Sequence, residues 1–324
     1  MNSPELEERK INHRGTETQR KQEKIVFKNV LCSLRFSLCL CVSVVNLAGI
    51  LMTEPTVFDE IFARLTPDRI FSDARATGEG ITIAVIDSGV ERSVLEDKFN
   101  TAGTPIQTIE GAVFRPTGPP LPYTGHQSSP HGTTVADIIL TLAPRVKLYS
   151  ADVFGPTGSC EVETVIAAIR HAIDIWKVKV INLSLGVPEH KLQQPARRQQ
   201  LLRAIEEAYF RDVLVFAAAH NEHPITRSFP AAFATPLISV DKGLFDDPLG
   251  FAYRLHEQIE FQADGRGYLG PFAREPATSW ATPHLAGIAA RILSLKPDLK
   301  PFEIKTILYW LFRSVNQSSA VPET

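Results

Sequence analysis

Residues 81–87 have the sequence ITIAVID, and Ser88 and Gly89 follow them directly. This run of β-branched apolar residues predicts a strand buried on both faces, as the strands of parallel sheets are. The strand ends at Asp87 in a tight turn, and functional sites gather at the carboxyl ends of parallel strands in open α/β sheets. Asp87 is therefore a candidate functional residue, although an Asp in such a turn also commonly caps its own backbone.

Outward from this strand, apolar runs alternate with helical patterns. Strands are predicted over residues 146–154, 178–186 and 213–219, and helices over 162–176 and 194–210. This alternation implies a mostly parallel sheet with right-handed crossovers and helices on both faces. We therefore predict a three-layer, doubly wound α/β fold.

The remainder of the chain is less regular. Residues 221–277 are rich in Pro, Gly and Asp, which predicts loops with short strands, one of them over 237–240. Helices over 279–295 and 301–313 close the chain. We find no internal repeat and no second domain, so residues 52–324 are predicted to form a single domain.

The composition excludes several classes of protein. The chain has 324 residues, of which 44% are hydrophobic and 22% charged, which is typical of a globular protein with one large core. Its 34 basic and 36 acidic residues leave no basic excess to neutralise phosphates, so no nucleic-acid partner is predicted. Cys160 is the one cysteine after residue 51, which excludes a scaffold held by internal disulfides.

Residues 1–51 differ from the rest of the chain. They hold three of the four cysteines and an excess of basic over acidic residues, and Met52 is the one methionine after Met1. We interpret them as a segment that is not a domain, ahead of a translation start at Met52. The alternative is a signal anchor or export signal over residues 36–52, but this stretch is shorter than the roughly 20 apolar residues that a spanning helix needs. A membrane association is therefore not predicted.

Four polar residues stand where strands are predicted to end or helices to begin. They are Asp87, His131, Asn221 and Ser279. Each has an ordinary structural explanation: Ser279, for example, could simply be a helix N-cap, and His131 the polar start of a helix over 133–142. Together, however, they stand in the segments ITIAVIDSGV, HGTTVADII, VFAAAHNE and TSWATPHLAGIAA, and a fifth segment, INLSLG, lies between the second and the third of these. These segments, in this order, resemble the subtilisin-like serine proteases, the subtilase or peptidase S8 family, over about residues 78–312.

The resemblance implies an activity and a role for each residue. It implies a serine endopeptidase in which Ser279 is the nucleophile, His131 the general base and Asp87 the carboxylate that orients the imidazole. Asn221 and the backbone N–H of Ser279 would stabilise the oxyanion. A peptide or protein substrate would pair in extended form with a strand edge, and the residues implied to bind it are Ser184, Leu185, Gly186, Ala219 and His220.

Some expectations concern cofactors and location. No organic cofactor is expected. Calcium sites in the family use loop carboxylates and carbonyls, for which Asp97 and Asn100 are the candidates, but their spacing does not match and no metal site is predicted. The residues from Met52 to Gly80 are too few for the folded pro-segment of the secreted members, which predicts a cytoplasmic enzyme. Oligomeric state and substrate identity are not predicted.

The sequence also departs from the family pattern. His220 and Ala277 stand where the family usually has Gly, Thr134 where it has a second His, Asp137 where it has Gly, and Trp280 where Met is common. His220 would either narrow the first specificity pocket or turn its ring outward. The alternative function is therefore a catalytically impaired fold that binds peptides or a partner chain, its site closed by His220 and Trp280. Glu222 is interpreted as a solvated surface carboxylate, and Cys160 as a small apolar residue near the groove.

Overall fold

A computed structural model of the chain describes residues 56–154, 158–270 and 275–318, with the side chains described as far as residue 315. The segment 1–51 and its alternative interpretation as an anchor lie outside the described residues, as do residues 155–157 of the turn after the second predicted strand. The helices are α1 (Val57–Arg64), α2 (Pro67–Phe71), α3 (Arg92–Thr101), α4 (Pro130–Leu142), α5 (Val162–Asp174), α6 (Pro195–Phe210), α7 (Thr278–Leu295) and α8 (Pro301–Ser318). The strands are β1 (Thr82–Asp87), β2 (Glu110–Val113), β3 (Leu121–Pro122), β4 (Lys147–Asp152), β5 (Val180–Leu183), β6 (Val187–Pro188), β7 (Leu214–Ala218), β8 (Ser228–Phe229), β9 (Ile238–Gly243), β10 (Phe251–His256) and β11 (Ile259–Asp264).

The central sheet has nine strands in the order β10-β11-β9-β7-β5-β1-β4-β2-β3. Its neighbours pair in parallel except at the two edges, where β10 pairs with β11 and β2 with β3 in antiparallel fashion. The four strands predicted from apolar runs are β1, β4, β5 and β7 at the centre of this sheet. The predicted α/β class is confirmed.

The sheet separates two apolar cores, as the sequence of β1 requires. Ile83 and Val85 pack into the core that contains α4 and α7, and Ala84 and Ile86 pack into the core that contains α5 and α6. Successive side chains of a strand point to opposite faces, so a strand covered on both faces needs apolar residues at every position. The helices therefore lie on both sides of the sheet in three layers.

Residues 221–277 form loops with short strands, as predicted, but the prediction placed β9 alone among these strands. Two strands of six residues each, β10 and β11, form a hairpin that extends the sheet beyond β9. Four of the six residues of β11 are buried and three residues of β10 are exposed, so the segment lacks the continuous apolar run that identified the central strands. Helix α3 and the short edge strands β2 and β3 were not predicted either, for the same reason.

Two helix starts bring candidate residues to the carboxyl edge of the sheet. Helix α4 begins at Pro130, a residue suited to a first helical position, and His131 lies in its first turn. Helix α7 begins at Thr278 with Ala277 as its N-cap, so the alternative interpretation of Ser279 as the N-cap is wrong. Within the described part of the chain, none of the helices combines the length and apolar character needed to cross a bilayer.

Candidate active site

Asp87 and His131 form a hydrogen-bonded pair at the end of β1, with Asp87 buried and the His131 side chain 31% exposed. The Asp87 carboxylate is 1% exposed, and its Oδ1 lies 2.8 Å from Nδ1 of His131. An ionised carboxylate only accepts hydrogen bonds, so Nδ1 of His131 carries the proton and Nε2 is left as the acceptor. Burial lowers the pKa of His131, but the charge and hydrogen bond of Asp87 outweigh it, so the pKa is raised above its ordinary value.

A network of serines holds the turn after Asp87 against the start of α4. Ser88 Oγ donates to the carbonyl oxygen of Ser129 at 3.0 Å and accepts from the backbone N–H of Gly132 at 3.0 Å. A Cβ at Gly132 would overlap the carbonyl oxygen of Gly89, so the two turns meet at van der Waals distance. This contact is what sets His131 beside Asp87.

Ser279 lies in the first turn of α7 and faces the end of β5. Its Oγ donates to the carbonyl oxygen of Ser184 at 3.2 Å, and the Ser184 hydroxyl donates to the carbonyl oxygen of Ser279 at 2.9 Å. The start of a helix carries partial positive charge from its backbone N–H groups. Ser279 is thus a partly exposed hydroxyl at the positive end of a helix that is otherwise buried.

The orientation of the Asn221 amide is fixed by the residue before Ser279. Asn221 Oδ1 accepts from the backbone N–H of Thr278 at 2.9 Å and from the Thr278 hydroxyl at 3.1 Å. Because a backbone N–H can only donate, the oxygen end of the amide must face Thr278. The NH₂ end, Nδ2, is therefore the free donor of this side chain, and Asn221 lines the same cavity as Ser279.

All the candidate residues lie on one cavity of about 850 Å³. Its lining includes the four polar candidates, Asp87, His131, Asn221 and Ser279, and the five residues expected to bind substrate, Ser184, Leu185, Gly186, Ala219 and His220. Residues from strand ends and two helix starts thus converge on one place, as expected for the carboxyl edge of a parallel sheet.

His220 is part of the lining of the cavity. Its ring lines the cavity with 28% of the side chain exposed, and Nδ1 accepts from the backbone N–H of Glu222 at 3.1 Å. His220 thus belongs to the cavity lining, and the two expectations for the direction of its ring stay predictions. The Glu222 carboxylate is 69% exposed and accepts from the Thr226 hydroxyl, which agrees with its interpretation as a solvated group.

Sequence reasoning missed Ser228 in the wall of the cavity. Ser228 is 4% exposed, its hydroxyl has no hydrogen-bond partner, and its Oγ would lie 3.1 Å from a Cβ on Gly186. It reaches the site because β8 pairs with β6 in antiparallel fashion, opposite Pro188. Two-residue strands carry no periodicity, so no signal in the sequence could have indicated it.

Two further titratable groups lie near Asp87. Asp152 is in register with Asp87 on the neighbouring strand β4; burial raises its pKa, while hydrogen bonds from Ser128 and Phe154 lower it. Burial also raises the pKa of the Cys160 thiol to about 12, and the nearby carboxylates, Asp87 first among them, add to this effect. Cys160 is consequently a neutral thiol that packs against the core, as expected for a small apolar residue.

The described residues hold no group of three or more His, Cys, Asp or Glu side chains placed to bind a metal ion. Asp97 and Asn100, the calcium candidates, both lie within helix α3 rather than in a loop. That the protein needs no organic cofactor, and that it has no calcium site, stay predictions.

The sequence is similar to that of known subtilases. The model of the subtilase family matches residues 78–241, a range that includes Asp87, His131 and Asn221 and ends before Ser279. M-protease of Shouchella clausii (strain KSM-K16) is 29% identical over 255 residues, which cover 72% of this chain and 59% of the relative. Subtilisin E of Bacillus subtilis (strain 168) is 30% identical over 239 residues, which cover 68% and 57%. The chain thus spans somewhat less than three fifths of the length of these two relatives.

Solved structures give the same result for the fold. The structure titled "Sphericase" is similar with a TM-score of 0.55 and 25% identity, over 71% of this chain and 82% of that chain. The structure titled "S41 Psychrophilic Protease" has a TM-score of 0.57 at 24% identity, over 71% and 82%.

Proposed function

The chain belongs to the subtilase family, and from that premise we propose that it is a serine endopeptidase that hydrolyses peptide bonds through an acyl-enzyme on Ser279. The observation that carries the proposal is the 2.8 Å contact between Asp87 and His131 on the same cavity as Ser279 and Asn221. A carboxylate-bound imidazole next to a hydroxyl is the arrangement that makes a serine nucleophilic.

Acylation begins when the Ser279 hydroxyl turns from the Ser184 carbonyl towards Nε2 of His131. His131 takes the proton as Oγ attacks the carbonyl carbon of the substrate, and the new C–O bond places negative charge on the carbonyl oxygen. The carbonyl then re-forms, the C–N bond breaks, and His131 delivers its proton to the leaving amine. Asp87 keeps the imidazole in the required tautomer and stabilises its cationic form throughout.

Deacylation repeats the steps with water as the nucleophile. His131 takes a proton from water as its oxygen attacks the ester carbon. The bond to Ser279 Oγ then breaks, and the proton returns to Ser279. The peptide acid leaves and the resting site is restored.

The oxyanion is stabilised in both stages by two donors. One is Nδ2 of Asn221, which is left free because Oδ1 is occupied by Thr278. The other is the backbone N–H of Ser279 in the first turn of α7, where backbone N–H groups have no partner within the helix. Donors fixed in advance stabilise developing charge without reorganisation, which is usually the largest single contribution to catalysis.

The substrate is proposed to be an extended peptide or protein segment. Residues 184–186, at the end of β5, offer backbone groups for strand-like pairing, and Ala219 and His220 line the same cavity. Main-chain pairing supplies affinity for any sequence, and the side chains around the cavity would supply the preference for particular substrate side chains.

We further propose that residues 52–324 act without an organic cofactor as a cytoplasmic enzyme. Fractionation of cells that produce the natural protein tests the location: recovery in the soluble fraction agrees with the proposal. Recovery in the membrane fraction that resists washing with salt would favour the anchor over residues 36–52 instead.

Labelling of the full chain with a fluorophosphonate probe tests the activity without knowledge of the substrate. We expect labelling that is lost in Ser279→Ala and falls sharply in His131→Ala. Matched controls are Ser93→Ala and His126→Ala, two exposed residues outside the cavity that should label like the parent chain. If the folded parent chain is not labelled, the proposal fails and the alternative of a peptide-binding protein is favoured.

A further inference from the structure

The residue after Ser279 packs directly on the candidate base. Trp280 is 4% exposed, and its ring centroid lies 4.8 Å from that of His131, with the two planes inclined by 39°. The resemblance to the subtilase family implies Met at the position of Trp280. An indole offers a rigid flat surface at this position, whereas a Met side chain is flexible and has no aromatic face.

A chain of hydrogen bonds runs from Trp280 through the next turn of α7 to Tyr268. Nδ1 of His284 lies 2.7 Å from the carbonyl oxygen of Trp280, and Nε2 of His284 lies 2.6 Å from the hydroxyl of Tyr268. Burial lowers the pKa of His284, so the ring is neutral, and its Nδ1 must be the donor because a carbonyl oxygen only accepts. The Tyr268 hydroxyl then donates to Nε2. Both nitrogens of His284 are satisfied, and the backbone of Trp280 is fixed.

The two contacts of His131 restrict different motions of the imidazole. The bond from Nδ1 to Asp87 restricts rotation of the ring within its own plane, and the indole restricts tilting out of that plane. Both His131 and Ser279 line the same cavity, so the orientation of the imidazole matters for the proposed proton transfer. The indole face also attracts the imidazolium cation that forms during the reaction, since aromatic faces carry negative potential.

We propose that Trp280 is a positioning residue for His131: its indole fixes the tilt of the imidazole and favours the imidazolium form. This inference rests on the proposed function for its consequence in catalysis, but the contact itself can be tested without activity. A purely structural role is the competing explanation, because Trp280 also belongs to the core around α4 and α7.

The first test uses fluorescence. A protonated imidazole quenches an indole that it touches, so Trp280 should report the titration of His131. Trp176 lies 4.8 Å from His171 and would give a second signal, and Trp310 packs on Phe62. The double variant Trp176→Phe/Trp310→Phe leaves Trp280 as the one tryptophan of the chain. We expect a quenching step as the pH falls that disappears when His131→Ala is added; the absence of a step overturns the proposal.

The second test separates positioning from packing. Trp280→Met removes the aromatic face and keeps a side chain that fills the core, whereas Trp280→Phe keeps an aromatic face. We expect fluorophosphonate labelling to fall about tenfold or more in Trp280→Met, with its pH midpoint moved to lower pH, and to stay within about threefold in Trp280→Phe. The other titratable groups near His131 and Trp280 are all retained in both variants: Asp87, Asp152, Cys160, His220 and Glu222 on the side of the cavity, and Tyr268, His284 and Asp264 behind Trp280.

Two labelling results would overturn the proposal. One is a parental rate and midpoint in Trp280→Met, and the other is an equal loss in both variants with unchanged midpoints, which is the result of a packing role. If the parent chain is not labelled at all, the proposed function fails, while the quenching step still decides whether Trp280 reports on His131.

Discussion

The ion pair between Lys98 and Asp137 offers a sharp test of the electrostatics of the core. Asp137 lies on α4, six residues after His131, and its side chain is fully buried with Oδ1 2.5 Å from Nζ of Lys98 and Oδ2 without a partner. Lys98→Met keeps the length of the side chain and removes its charge. The buried carboxylate is then left without a compensating cation, which is among the most destabilising changes a core can suffer.

The magnitude follows from Coulomb's law. Two unit charges about 4 Å apart attract by about 4 kcal/mol at the effective dielectric of a site near the surface. Because the Lys98 side chain is 37% exposed, solvent screens part of this, and we expect Lys98→Met to lose about 3 kcal/mol of unfolding free energy at neutral pH. For a domain of this size, such a loss lowers Tm by about 6 to 10 °C.

The loss should depend on pH. Burial raises the pKa of Asp137 even with Lys98 present. Between the pKa of Asp137 in the unfolded chain and its higher pKa in the folded protein, the folded protein holds a proton that the unfolded chain releases, so stability falls as the pH rises through this interval. Without Lys98 the folded-state pKa rises further. The difference between variant and parent should therefore shrink as the pH falls, because protonation of Asp137 removes the unpaired buried charge, and grow as the pH rises towards neutrality.

Urea unfolding followed by circular dichroism between pH 4 and 8 measures the unfolding free energy of parent and variant. Both proteins carry Ser279→Ala to prevent self-digestion. Lys98→Arg, which keeps the charge, is the matched control and should stay close to the parent. Combining Lys98→Met with Asp137→Asn should recover most of the loss, because no buried charge then remains unpaired. If Lys98→Met costs the same with and without Asp137→Asn, or if its cost does not vary with pH, the reasoning is refuted.

Four further predictions concern the site. Asn221→Ala should lower the fluorophosphonate labelling rate by about 10² to 10³. Asn221→Asp keeps the oxygen that accepts from the Thr278 N–H but lacks the NH₂ donor, so its labelling rate should be no higher than that of Asn221→Ala. A parental rate in either variant would exclude an oxyanion role. Gly132→Ala should abolish labelling and lower Tm, since a Cβ there overlaps the Gly89 carbonyl oxygen and must displace His131; crystals of a fully labelled variant with an unmoved turn would contradict this. The labelling rate should fall as pH drops through a midpoint above the ordinary value for histidine, because the pKa of His131 is raised and its protonated form cannot accept the proton from the nucleophile; a midpoint below that value would contradict it. The Cys160 thiol, with its pKa raised to about 12, should react with iodoacetamide at pH 8 much more slowly in the folded chain than in urea, as measured by mass spectrometry of the peptide that contains it; equal rates would show that the thiol is not shielded.

Much of the fold could be predicted from the sequence because the signals that determine it are local. Residues 81–87 and 213–219 predict buried strands from composition alone, and they become β1 and β7 at the centre of the sheet. The edge hairpin of β10 and β11 was not predicted, because half-exposed strands have a weak pattern and are stabilised by pairing with a neighbour that already exists.

The candidate site divides in the same way. The sequence indicated Asp87, His131, Asn221 and Ser279, since each stands in a segment whose residues resemble a known family. The sequence also indicated His220 as a substrate-binding residue, and it left open whether the ring narrows the pocket or turns outward. The distances that matter join residues far apart in the chain, and these only the coordinates supply.

The sequence by itself therefore determined the fold class, the central strands and the residue types of the site, because hydrophobic periodicity and motif order act over a few neighbouring residues. The tertiary structure alone decided the donor end of Asn221, which Thr278 sets from 57 positions away, and the packing of Trp280 on His131. It also decided the pairing of Asp137 with Lys98. The physical reason is that a side chain's hydrogen-bond partners, burial and charge environment belong to the packed assembly of strand ends and helix starts, and no single segment contains that assembly.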